Sequence, residues 1–488
     1  MTGTLRIAAD ARLQIAYSVG ELQNLVTPFI TAIATTLEQS TDLERAVLDA
    51  AHSFPDAAAC FIIEPSRIAE TFSLSDEHLF AERRVSRLRI ITDDDTYSVE
   101  IGSASDLQVL QQVLYTGSVG QFALNDRSPD LGEPARELLQ QLSGLGVVTD
   151  APAGAGCFAS ADAPGIHRLQ HASLLYRSRT SGVLVDPHMH SSYRPGELRS
   201  DVLRDAVATR VDAILISHFH EDHFFLSTLL MFPLDTPIVV PKVPRGTIIC
   251  GDMERILHDC GFTNVVAVDW FSPPIIFGDI AVHVLPFYGE QPLRFDESKH
   301  PDLRNWGNTY FIETEAYSSW FLIDSGSDRR GSMEDVAHYV SKRFGRVDTI
   351  LSNLRRFSLQ SPFYINGGLN WLTLSPAQMR NFRGMRQDCI TLGPEGVAAI
   401  CRIVDAKHYL PYAHWWGELG EEARSGLDTP GQEEVALVSE LGRRLVAAGS
   451  RTQILNWAVG DGFVSRGRGQ FLHERIVNST GHSGGSAW

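Results

Sequence analysis

Cysteine is scarce in this chain: Cys60, Cys157, Cys250, Cys260, Cys389 and Cys401 are the only six in 488 residues, and no two form a CxxC pair. Scattered singles of this kind argue against a disulfide scaffold or a thiolate zinc site and read as buried thiols. Positive charge is the second shortage, with 42 Lys and Arg against 59 Asp and Glu and a formal net charge of −17. Such a field repels phosphate backbones, and no basic run stands out to overcome it, so no nucleic-acid partner is expected. Long apolar runs are missing too: no stretch reaches the roughly 18 residues that a membrane-spanning helix needs, so no membrane is expected. The opening residues lack a basic segment followed by a continuous apolar stretch, and cytoplasmic residence is the expectation. What is there is 43% hydrophobic and only 21% charged, the balance of a globular chain with an ample core.

The texture divides the chain. Residues 1–160 mix two patterns: LERAVLDAAH (43–52) and PARELLQQLSGL (134–145) have helical spacing, whereas SRLRIITDDDTYSVEI (86–101) reads as two strands joined at Asp93, Asp94 and Asp95. This is an N-terminal α+β domain. Apolar periodicity vanishes in APAGAGCFASADAPG (151–165), the linker. Beyond it, β-branched runs such as GVLVDP, AILISH, TPIVVP, IAVHVLPF, NTYFIE, SWFLID, DTILSN and HYLPYAHW alternate with helical stretches such as DVLRDAVATR and MERILHDCGF. Buried strands with interleaved helices over about 300 residues indicate a layered α/β domain at 165–465. Residues 466–488, ending NSTGHSGGSAW, read as a C-terminal tail.

The strongest chemical signal is AILISHFHEDHFFLSTLL (213–230), which sets His218, His220, Asp222 and His223 directly after an apolar strand. With 17 histidines in 488 residues, three at those offsets arise by chance somewhere in the chain with a probability of about 2%. Alternation at the strand end turns His218 and His220 the same way, and Asp222 and His223 follow as the chain turns. Two imidazoles can hold one metal while a carboxylate and a third imidazole hold a neighbour. A metal pair then needs a bridging carboxylate and further ligands from later strands.

The pattern resembles that of the metallo-β-lactamase superfamily, an αββα sandwich with two metals at the edge of its sheets, and the resemblance covers roughly residues 165 to 465. It implies Asp186 of GVLVDPH on the preceding strand, Asp324 of SWFLIDSGSD as the bridge, and His414 of HYLPYAHWW as the last ligand. One position departs from the hydrolases of this superfamily, which supply a third histidine to the first metal. Here the strand IAVHVLPF runs into Tyr288, Gly289 and Glu290, and His283 lies in mid-strand, so Glu290 takes the slot. A carboxylate there hardens the site and favours iron over tetrahedral zinc.

That substitution resembles a small branch of the superfamily, the dinuclear non-haem iron monooxygenases typified by the chloramphenicol-pathway β-hydroxylase, which also carry an extra N-terminal domain. The resemblance implies iron 1 on His218, His220, Glu290 and Asp324, and iron 2 on Asp222, His223, Asp324 and His414. Asp324 would set the metal separation, and Glu290 would shift its binding mode to admit oxygen. It implies dioxygen as co-substrate and an external electron donor, either a protein or a small reductant. The substrate would be a thioester-linked acyl group, on coenzyme A or on a carrier protein, hydroxylated at an unactivated C–H bond in natural-product or antibiotic biosynthesis. The N-terminal domain of that branch serves dimerisation or substrate presentation, so a homodimer is among the assemblies implied, although the domain here looks shorter. The alternative is a dizinc hydrolase of a thioester, lactone or phosphoester, which requires that zinc tolerate Glu290 or that Glu290 not bind.

Other candidates have plainer readings. Glu221 should face away from its neighbours in the motif, and Asp328 and Glu313 read as surface or sheet-end residues. His188 and His190 are either partners that orient ligands or loop residues near the site. His408 competes with His414 for the last ligand position. Arg355, Arg356, Arg380, Arg383 and Arg386 could meet the phosphates of a coenzyme A or phosphopantetheine arm, or serve as surface ion pairs. FYINGGLNWLTL (363–374), Trp415 and Trp416 could wall a pocket or pack.

Overall fold

In the strand Gly182–Val185, Val183 and Val185 turn to one apolar cluster and Leu184 to another. The same split recurs in Ser318–Ile323, where Phe321 and Ile323 face one way and Trp320 and Leu322 the other. Alternation with apolar residues on both faces requires a layer on each side of the sheet. The computed structural model supplies those layers. It describes residues 4–7, 12–91, 96–119, 133–145, 148–151, 163–169, 171–188, 211–291, 299–357, 372–381, 389–413, 430–457, 461–467 and 470–475.

The N-terminal region contributes β1 (Thr4–Ile7), β2 (Arg12–Tyr17), β3 (Phe61–Ile62), β4 (Ser73–Leu74), β5 (Val85–Ile91), β6 (Thr96–Glu100) and β7 (Val148–Ala151). β2, β5 and β6 form an antiparallel sheet, β1 pairs with β7, and β3 with β4. The helical spacing at 43–52 becomes the helix Leu43–Ser53, started by the Asp42 carboxylate, which accepts from Arg45 N. That at 134–145 becomes Glu133–Gly144, while the aspartate turn between β5 and β6 lies outside the described residues.

Next come β8 (Gly165–Arg168), β9 (Leu174–Arg177), β10 (Gly182–Val185), β11 (Ala213–Leu215), β12 (Ile238–Pro241) and β13 (Val265–Val268). A second group follows: β14 (Ile275–Phe277), β15 (Ile280–Pro286), β16 (Asn308–Glu313), β17 (Ser318–Ile323), the small hairpin β18 (Ser327–Asp328) and β19 (Gly331–Ser332), β20 (Thr349–Ser352), β21 (His408–Pro411) and β22 (Gln453–Ile454). β23 (Asp461–Gly467) and β24 (Gln470–Arg475) close the described chain. Among the described residues, one sheet has the order β13-β12-β11-β10-β9-β8-β23-β24 and the other β14-β15-β16-β17-β20-β21-β22. The strands from β10 to β13 run parallel, as do those from β17 to β22. Residues 466, 467 and 470–475, expected as tail, instead belong to paired strands: β24 pairs with β23, which pairs with β8. The helix expected at 201–210, the linker residues 152–162 and the end of the chain from 476 lie outside the described residues.

Three apolar clusters define the layers. Val183, Leu215, Val282, Tyr310, Phe321 and Leu351 fill the space between the two sheets. The helices Met333–Phe344, Gly393–Ile403 and Pro430–Ala447 cover the second sheet through Val336, Val340, Val397 and Leu441, against Trp320, Ile350 and Tyr409. The first sheet is covered differently. Leu184, Ile214, Ile238 and Val240 share one continuous core with the helix Met253–Asp259 and with Phe29, Ile33, Leu88 and Leu110 of the N-terminal region. The N-terminal domain therefore completes the outer layer of the sandwich.

Candidate metal centre

The carboxyl ends of β10, β11, β15, β17, β20 and β21 open on one edge of the sandwich, where ligands characteristically bind in parallel α/β sheets. Backbone strain concentrates there. Of seven non-glycine residues with positive φ among those described, five lie at this edge: His171 (50°), Asp186 (42°), Glu290 (49°), Ile323 (51°) and Ala413 (58°). Such conformations persist only where the surroundings dictate them, and they cluster at functional sites.

His218 and His220 meet with Nε2 and Nδ1 2.9 Å apart, and Glu290 Oε2 lies 3.2 Å from the first and 3.3 Å from the second. Asp324 Oδ2 is 3.9 Å from His218 Nε2 and 3.0 Å from His223 Nε2, so this one carboxylate reaches both halves. Asp222 Oδ2 stands 3.5 Å from His223 Nε2. Ligands around one metal with bonds of about 2.1 Å lie roughly 3.0–3.4 Å apart in neighbouring positions; five of the separations, from 2.9 to 3.5 Å, lie at or near that range, and only His218 to Asp324 at 3.9 Å is clearly longer.

The remaining ring nitrogens set the tautomers. Ser217 Oγ donates to Asp186 Oδ2 at 2.6 Å and faces His218 Nδ1 at 2.9 Å, so His218 Nδ1–H donates to the hydroxyl and Nε2 keeps its lone pair. His223 Nδ1 donates to Asp186 Oδ2 at 3.0 Å, while its buried Nε2 has no hydrogen-bond partner among the described residues. Buried imidazole nitrogens aimed at carboxylates fit a bound cation, whose place a proton takes on His223: burial lowers its value, but Asp222, Asp186 and Asp324 hold it well above the ordinary one. Charge agrees: burial alone would raise the Glu290 carboxyl, but His220 and His218 beside it hold it below its ordinary value. Asp222 is held well below its own, since His223 and His171 outweigh burial. Burial and the neighbouring His223 and His220 keep His218 low, hence neutral and able to ligate.

Close backbone packing fixes the acidic ligands. A Cβ on Gly289 (φ 83°) would fall 2.5 Å from Gly326 N and Ile390 O. This glycine lets Glu290 N donate to Ile390 O at 2.7 Å and Gly326 N to Tyr288 O at 2.6 Å, tying the Glu290 and Asp324 loops together. Asn353 Nδ2 donates to Asp324 Oδ1, and the Asn305 amide lies 3.4 Å from both Glu290 Oε2 and His220 Nε2.

Six of the seven expected ligands thus converge, and His414 lies outside the described residues, two beyond Tyr412. Its competitor His408 opens β21 at the far end from the site, with Nδ1 3.4 Å from Asp348 O. His283 hydrogen-bonds Glu313 at 2.8 Å, away from the cluster. Asp328 is not a surface residue: it is buried, pairs with Arg304 at 3.0 Å and accepts from Gly289 N at 3.1 Å. His188 stacks edge-on against Phe225 at 4.1 Å and neighbours His171 at 5.3 Å, whereas His190 is outside the described residues. Arg356 is occupied by Glu395 and Glu440, and Arg380 donates to Ala69 O, so neither is set aside for phosphate. Arg383, Arg386, residues 363–371, Trp415 and Trp416 also lie outside the described residues.

Sequence reasoning missed His171. It is buried in the β8–β9 turn and hydrogen-bonds Asp222 Oδ2 at 2.9 Å. Nothing in its spacing ties it to the motif 47 residues on, and only the hairpin brings it there. Tyr412 was missed as well: its hydroxyl is buried with no hydrogen-bond partner among the described residues, and burial and Asp186 push it well above its ordinary value.

Residues 167–268, which carry the His-x-His-x-Asp-His run, match the family model described as Metallo-beta-lactamase superfamily, and the fold and donor set resemble that class. Within that class the chain resembles the diiron β-hydroxylases. It is 29% identical over 221 residues to the 4-amino-L-phenylalanyl-[CmlP-peptidyl-carrier-protein] 3-hydroxylase of Streptomyces venezuelae, an alignment spanning 45% of this chain and 38% of that protein. The solved structure of CmlA, a diiron β-hydroxylase from Streptomyces venezuelae, superposes with a TM-score of 0.58 at 15% identity, covering 93% of this chain and 99% of that one. A variant of the CmlA β-hydroxylase gives 0.56, with 92% and 98% covered. At 93% of this chain, the shared fold takes in part of the N-terminal region as well. No helix among the described residues is long and apolar enough to cross a membrane.

Proposed function

We propose that this chain is an oxygen-dependent dinuclear iron monooxygenase that hydroxylates an unactivated C–H bond of an acyl group held as a thioester, in the biosynthesis of a natural product. The observation that carries the reading is Glu290, whose carboxylate occupies the position beside His218 and His220 that an imidazole would fill in a zinc hydrolase. When bound, the two irons would supply oxygen activation and electron transfer, with electrons from an external donor. Iron 1 would lie among His218, His220, Glu290 and Asp324, and iron 2 among Asp222, His223, Asp324 and His414.

The protein's own part is orientation. Asp186 holds His223 directly and His218 through Ser217, Asn353 holds Asp324, and the Gly289–Gly326 contact keeps Glu290 facing the histidines. A carboxylate offers one or two oxygens and can change its binding mode as a reaction proceeds, which a third imidazole cannot. Burial excludes water from the His218, His220 and Glu290 side, protecting reactive states from side reactions.

The relative with 29% identity acts on an amino acid carried by a peptidyl carrier protein, which supports a carrier-protein thioester as substrate here. A cytoplasmic enzyme meeting soluble partners is consistent with that reading, and the homodimer and reductant belong to the same proposal. The test is mass spectrometry of aminoacyl carrier proteins and acyl coenzyme A thioesters after incubation with iron-loaded, reduced protein under labelled dioxygen. Addition of one labelled oxygen atom to the carrier-bound group is the expected result. Labelling only of coenzyme A esters moves the substrate class, and thioester hydrolysis without labelling refutes the monooxygenase.

A further inference from the structure

His218, His220 and Asp222 face the candidate metal site, whereas Phe219 between the two histidines is buried in the other direction, in the core shared with the N-terminal domain. Phe219, 1% exposed, lies 5.8 Å from the ring of Tyr17 at the end of β2, and the Arg83 guanidinium sits over its face at 4.7 Å. Phe224 stacks on it at 5.4 Å, and a Cβ on Gly251 would fall 2.6 Å from its ring, so backbone closes the remaining side. Arg83 Nε and Nη2 are buried without a hydrogen-bond partner among the described residues. Burial pushes the guanidinium down to about 10, with Cys250, Glu221 and Tyr17 acting against that shift. Stacking on the Phe219 face and the nearby Glu221 charge offset the cost of burying these two nitrogens, and cation–π attraction is strongest where water is excluded.

The elements that carry this cage are tied together. Tyr17 pairs with Val85 across the β2–β5 ladder, which brings Arg83 beside it. Ile248 N donates to Leu79 O at 3.0 Å, Arg255 Nη2 donates to Glu82 Oε2 at 2.9 Å, and the Arg245 guanidinium lies 3.6 Å over Phe80. Residues 79–84 are thereby locked to the segment that holds Gly251.

We propose that Tyr17 and Arg83 are positioning residues of the metal centre: through Phe219 the N-terminal domain sets the backbone between His218 and His220, so that its docking controls metal affinity. This rests on the metal-centre reading above. The test is anaerobic titration of the metal-free full chain with ferrous iron, alongside its thermal unfolding, for Arg83→Met, Arg83→Lys, Tyr17→Leu and Phe61→Leu. Phe61 packs on Phe29 and Phe72 in the N-terminal core, with ring contacts at 4.9 and 5.3 Å, and reports general destabilisation. Arg83→Met and Tyr17→Leu are expected to weaken iron binding about tenfold, with Arg83→Lys restoring most of it. Phe61→Leu should lower the unfolding temperature without changing iron affinity. If wild type binds two irons and all four variants bind them equally well, positioning through Phe219 is overturned while the metal centre stands. If wild type binds none, the metal-centre reading falls and this inference falls with it.

Discussion

The side chains of His218, His220 and Glu290 are 0%, 10% and 3% exposed, whereas in the other half of the centre Asp222 is 42% exposed beside a fully buried His223. The sealed half is lined by strand ends locked by backbone contacts, and the open half by a loop carboxylate steadied by His171. Burial makes charge effects strong and geometry rigid, so the sealed half is suited to choosing the metal. Exposure leaves room for exchange, so the open half is where oxygen and substrate would approach.

Breaking the link between the halves has the largest effect. Asp324→Asn is expected to abolish binding of both irons and all hydroxylation, as read by metal analysis and product mass; retention of one iron would show that the halves assemble independently. Asp186→Ala acts on both through their histidines. It leaves His223 Nδ1, Ser217 N and Ser217 Oγ without their acceptor, and an iron affinity 10- to 100-fold weaker is expected in calorimetric titration. His171→Ala should weaken only the open half, about tenfold, so the titration would resolve one normal and one weakened site; equal weakening of both would contradict the division. His283→Ala, outside both halves, should leave iron content unaltered, its effect confined to a stability loss of about 1–2 kcal/mol from the lost Glu313 bond and Phe344 packing.

The division also explains what could be read from residues alone. The His-x-His-x-Asp-His run is contiguous and legible on its own, whereas Asp324, directly after an apolar strand, and Glu290, four residues beyond one, were placed by the family resemblance. His171 depends on a hairpin that returns it to Asp222, and Ser217 and Asn353 act through hydroxyl and amide contacts that no spacing encodes. The strand pattern of the second domain was legible because buried strands are continuously apolar. The shared core of Leu184 and Ile214 with Phe29 and Ile33 was not, since it joins residues more than 100 positions apart. β24 falls in the stretch that reads as tail, yet it pairs with β23 and sets Phe471 against Tyr317 at 5.6 Å.

Whether Glu290 chooses the metal is decided by metal analysis of wild type and Glu290→His, each produced with iron and zinc both in supply. The account predicts about two irons per wild-type chain, as a dinuclear site requires, and a shift to zinc with loss of hydroxylation in the variant. Wild type that carries two zincs, or a variant that keeps iron and hydroxylates as before, would contradict it.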